Sequence, residues 1–193
     1  MRKTIFYLLS PLFFLSCVNE TKKNHQDISY TLDMDQLPAY EKDIDHKGMI
    51  VAAEKQYDKS MKRGQSIYTK VCFNCHGDPL QEGSIPTSFK FWKDTFKVGN
   101  DPYSLYQLLT RGYKTMPPQP LLTPSEKYEI IQFIREEYVA KSNQSQYFKI
   151  DSIYLNHLPE GGSFGPEPKE RMDWADMDYG NYLINTYELA DQS

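Results

Sequence analysis

The 193 residues carry a formal charge of −4, 39% hydrophobic and 14% aromatic side chains, and a mean hydropathy of −0.65. That length holds one or two small domains, and the apolar content suffices for a modest core but excludes a membrane bundle. Fifteen tyrosines are too many for a disordered chain, and the acidic balance speaks against nucleic acid as a partner.

In chain order, Arg2 and Lys3 precede an apolar run from Ile5 to Leu15 broken only by Ser10 and Pro11. The run is too short to span a bilayer and has the form of a secretory signal, so residues 1–16 are predicted to be removed. Leu15-Ser16-Cys17 resembles a bacterial lipoprotein box, although Phe14 stands where that box prefers leucine. The resemblance implies that Cys17 becomes the first residue and carries lipid; the plainer alternative is an ordinary signal whose Cys17 is discarded. Losing Arg2 and Lys3 takes the formal charge from −4 to −6. Residues 17–56 are polar, with Asp27, Asp33, Asp35, Glu41, Asp43 and Asp45, and read as a tether in which His25 and His46 are solvated.

From Tyr57, apolar or small residues recur at Met61, Gly64, Tyr68 and Val71, one stripe along a helix that leads to Cys72. There the chain reads CFNCHG, with Cys72, Cys75 and His76. With Cys17 assigned to lipid, no further cysteine exists to build a disulfide framework, so the pair serves local chemistry. A zinc site would need a second pair of ligands, and His25, His46 and His157 are scattered singly. A redox dithiol would sit in a βαβ pattern, of which the neighbourhood shows no sign. Two thiols spaced for two porphyrin vinyl groups, followed at once by a histidine for the iron, are the constellation for one covalently attached haem c with His76 as proximal ligand.

A second helix is predicted from the N-cap Asp101, with Pro102 in its first turn, through Leu105, Leu108 and Leu109 to Gly112. After it comes KTMPPQ, in which two prolines stiffen the loop that presents Met116. A thioether there suits the distal face of haem iron, against the alternative that Met116 only fills core space; Met61 belongs to its own helix, and Met172 and Met177 to the tail. A third helix opens at Thr123 with a capping box to Glu126 and Pro124 at its first position, and runs through Tyr128, Ile130, Ile131, Phe133, Ile134 and Tyr138. Asp151 is predicted to cap a short helix through Tyr154 and Leu158, followed by a Gly/Pro-rich linker to Pro166.

Three helices around CxxCH and a later methionine resemble a class I c-type cytochrome, a likeness covering about Tyr57 to Tyr138. It implies an all-α fold of three to five helices around one haem, with extended terminal segments. In that family the first and last helices cross at a glycine against an aromatic, which are Gly64 and Phe133 here, with Tyr68 and Ile130 at the neighbouring positions. The family also places a proline carbonyl on the far nitrogen of the proximal histidine, which the resemblance assigns to Pro86. A narrower likeness, over FKFWKDTFKVGNDPYSLYQLLTRGYKTMPPQ and on to WADMDYGNYLINTYELA, is to the cytochrome module of large exported bacterial proteins in which another domain follows.

The expected organisation is a signal over 1–16, a tether over 17–56, a cytochrome domain over 57–141, a short helix and linker over 142–166, and a tail over 167–193 that resembles the start of a further domain. The expected function is single-electron transfer between redox proteins by an exported, lipid-anchored carrier in the periplasm or at the cell surface, without catalysis of its own. Two readings stand beside it: the electron-accepting part of a larger enzyme, and a gas or redox sensor from which Met116 departs.

Overall fold

The computed structural model describes residues 29–168. The signal, Cys17, His25 and the MDYG tail all lie outside that range. Secondary structure among the described residues is helical, with only isolated bridges elsewhere. A short 3-10 turn at Ala39–Lys42 precedes α1 (His46–Lys55) and α2 (Tyr57–Ile67). The chain continues from α2 without a break through a π-helical turn, Tyr68–Cys72, into the single turn α3 (Phe73–His76). Then come α4 (Pro102–Arg111), α5 (Pro124–Phe133), a second π turn at Ile134–Val139, the short α6 (Ala140–Ser142) and α7 (Ser152–Asn156).

The caps behave as the sequence predicts. Asp101 accepts from the Ser104 amide at 3.0 Å, Asp151 from the Tyr154 amide at 2.8 Å, and Thr123 with Glu126 closes a reciprocal capping box.

Helix α5 is the organising element because it is buried on every side, polar residues included. Its Tyr128 and Ile131 join Ile44, Met49, Ile50, Leu105, Tyr106, Leu109 and Leu158 in one apolar cluster. Its Ile130 and Phe133 join Ile67, Tyr68, Leu122, Ile134, Tyr138 and Val139 in a second. Helix α2 crosses α5 at Gly64, where a Cβ would strike the backbone carbonyl of Glu129 and the Phe133 side chain. The crossing therefore needs a residue without a side chain, as the resemblance implies.

The expected tether is corrected for its described part. Leu37, Ile44, Met49 and Ile50 are buried, α1 packs on α5, and His46 is only 3% exposed, bonded through Nδ1 to the Tyr128 hydroxyl at 2.9 Å. Glu41 is buried too, ion-paired with Lys127 at 2.8 Å, while Lys127 also donates to Thr110 and Tyr106 donates to the second Glu41 oxygen. The physical reason is a short amphipathic stretch, Ile44 to Ala53, whose few apolar residues are enough once α5 offers an apolar face and a buried cation. The expected linker is docked as well: Ser163 bridges to Ile44, and Asp45 donates its amide to the Ser163 carbonyl at 2.8 Å.

Candidate haem site

The π turn widens the helix immediately before the cysteines and places Tyr68 in the core, 1% exposed, with its hydroxyl on the Gly77 carbonyl at 2.7 Å. Tyr138, on the second π turn, packs against it with ring centroids 5.2 Å apart. Helix α3 stops at Gly77, whose φ of 71° is a conformation that favours glycine, and a Cβ there would meet the Gln81 carbonyl. The loop beyond folds straight back: Ser84 donates to the Asn74 carbonyl at 2.7 Å, and a Cβ on Gly83 would strike the Cys75 carbonyl.

Cys72 and Cys75 are free and partly buried on this turn. Burial, with the neighbouring Cys75, pushes the Cys72 thiol up to about 12, so it stays protonated. The His76 Nδ1 lies 2.9 Å from the carbonyl oxygen of Phe89. A carbonyl can only accept, so Nδ1 carries the proton and Nε2 keeps a lone pair free for a metal. Burial is the main reason the imidazole resists protonation; the Phe89 carbonyl works the other way and the nearby Lys90 reinforces it.

This carbonyl corrects the assignment to Pro86. A turn closed by the Ser88 amide on the Ile85 carbonyl, at 3.0 Å, carries Pro86 out to solvent. The chain returns to His76 three residues later, at Phe89. Phe89, Lys90 and Phe91 were missed by sequence reasoning; the aromatic alternation of FKFWK, at residues 89–93 in the loop that follows the motif, was the available signal. Phe91 lies 5.0 Å from the His76 ring, centroid to centroid, Phe89 lies 4.7 Å from Phe96, and Lys90 donates from Nζ to the His76 carbonyl at 3.0 Å.

Met116 is half-buried on the first apolar cluster. Its loop is rigid: Tyr113 and Met116 exchange backbone bonds of 2.9 Å, Lys114 takes a φ of 51°, and Gln119 returns a bond of 2.7 Å to Leu109. Tyr30 donates to the Lys114 carbonyl at 2.9 Å, so the N-terminal segment braces the same loop. Phe96 packs on both apolar clusters, touching the one that carries Met116 and the one that carries Cys72.

The donor set fits a haem. No group of three or more His, Cys, Asp or Glu able to hold a bare metal ion exists among the described residues. A porphyrin supplies four of the six iron ligands itself, so one imidazole with a free Nε2 and one further donor suffice, and two adjacent free thiols supply the covalent links. Residues 59–134 match the family model described as cytochrome C oxidase, cbb3-type, subunit III. This segment is a class I c-type cytochrome domain. The cytochrome domain implies covalently bound haem c and an electron-carrying role rather than a catalytic one. No curated protein and no solved structure gives a match.

Proposed function

We propose that the chain is an exported carrier that passes single electrons between protein partners, with the haem joined to Cys72 and Cys75 and ligated by His76 and Met116. When bound, the haem supplies the one-electron couple of its iron. The chain's own residues determine how that couple is used. The observation that carries the reading is the His76 imidazole fixed by the Phe89 carbonyl at 2.9 Å, which sets tautomer and ring direction and makes the ring a better donor. The braced Met116 loop supports a second protein ligand, and a haem held by both His76 and Met116 would leave no iron position open to a substrate. Cys17 as a lipid anchor would keep the carrier at a membrane surface, where redox partners are met briefly through small contacts.

The description of the matched family as an oxidase subunit favours a second reading, in which the domain delivers electrons inside a larger membrane complex. Carbon monoxide added to the reduced protein tests the first reading. A domain saturated by His76 and Met116 takes up none on mixing, and Met116→Ala takes it up. Prompt uptake by the wild type would transfer the assignment to a sensor.

A further inference from the structure

Lys90 is 4% exposed, an unusual position for a lysine. Its Nζ donates to the His76 carbonyl at 3.0 Å and lies 6.0 Å from the Trp92 ring. Among the described residues no carboxylate forms an ion pair with it, while its own amide is bound by Asp94 Oδ2 at 2.7 Å, which anchors the backbone. A buried lysine without a counter-charge is costly, and a neutral donor would hold the same carbonyl at less cost.

We propose that Lys90 is a positioning residue for electron transfer, whose buried charge beside His76 raises the reduction potential of the haem. The inference rests on His76 as the proximal ligand. Adding one electron removes one positive charge from the unit that His76 ligates, and a fixed cation at the ligand's backbone favours that change. In this low-dielectric surrounding the effect is little screened by salt.

The test is a spectroelectrochemical titration of the haem-loaded protein and three variants. Lys90→Gln keeps a donor for the His76 carbonyl but loses the charge, Lys90→Met loses both, and Lys90→Arg keeps the charge. Both neutral variants should lose about five- to tenfold of the wild type's preference for the ferrous form, tenfold being about 59 mV for one electron. Lys90→Arg should stay close to wild type. A wild-type potential in Lys90→Gln, or an equal fall in Lys90→Arg, overturns the proposal. Should Lys90→Gln not accept haem, Lys90→Met decides by the same comparison; failure of both would assign Lys90 to folding and also overturn it. If His76 is not the ligand, the wild-type spectrum itself lacks histidine ligation, whereas a wrong account of Lys90 leaves that spectrum intact.

Discussion

Glu129, on α5, and His46, packed against it, are both buried, and burial moves them in opposite senses along the pH scale. His46 is lowered from 6.5 to about 4, by burial first, with Lys127 assisting and Glu41 and Asp45 opposing. The native state therefore refuses a proton that the unfolded chain accepts, and stability falls as pH drops from about 6.5 to about 4, by on the order of 3 kcal/mol in all. Glu129 is raised from 4.5 to about 7, again by burial, with Glu126 assisting and Arg63 and Lys59 opposing. Here the native state holds a proton that the unfolded chain releases, so stability falls as pH rises from about 4.5 to about 7. The two slopes offset one another in the wild type. Chemical denaturation across that range should show His46→Gln losing more stability with rising pH than wild type, and Glu129→Gln losing more with falling pH. Neither shift is legible in the sequence, because the burial that dominates it is created by packing against distant parts of the chain, such as Tyr128 on His46 and α2 beside Glu129. The Pro86 assignment failed for a related reason: a motif locates a loop, but only the folded turn at Ile85–Ser88 decides which carbonyl comes back to His76.

At the scale of elements, the α2–α5 crossing and the buried Glu41–Lys127 pair carry the two clearest stability predictions. Gly64→Ala puts a Cβ into the Glu129 carbonyl and the Phe133 side chain, so the helices must separate. The expected cost is about 1–3 kcal/mol in urea unfolding, with a lower yield of haem-loaded protein. Glu41→Met leaves the Lys127 ammonium buried without its partner and should cost about 3–5 kcal/mol. The double variant Glu41→Met/Lys127→Met should recover a large part of that loss, since no unpaired charge remains. A double variant worse than the sum of its singles would contradict the account. The caps at Asp101 and Thr123 were readable because each is written in adjacent residues, whereas the crossing at Gly64 was reached through the family resemblance. Helix α1 was not, since its apolar face is short, its flanks are acidic, and its stability comes from α5. The continuous burial of α5 was also hidden: nothing about Lys127, Glu129 and Gln132 as residue types points inward, but two apolar clusters and the N-terminal segment enclose them.

For the whole molecule, the N-terminal segment joins the domain through the Tyr30 amide on the Lys114 carbonyl of the Met116 loop and the Leu32 amide on the Arg111 carbonyl at the end of α4, so the described part of the expected tether belongs to the domain. The lipid anchor is a separate claim from the haem. If Cys17 carries lipid, the mature protein should sediment with membranes and incorporate labelled fatty acid, and Cys17→Ser should do neither while keeping its haem. No helix among the described residues is long and apolar enough to cross a membrane. The measurement that bears most directly on the proposed carrier is the near-infrared absorption of the oxidised protein. A thioether on ferric iron gives a weak band there, and the wild type should show it. Met61→Leu, a substitution of similar volume in α2, should keep the band. Met116→Ala should lose it and gain carbon monoxide binding in the reduced state. A band that persists in Met116→Ala, with carbon monoxide still excluded, would contradict the account by placing another residue on the iron.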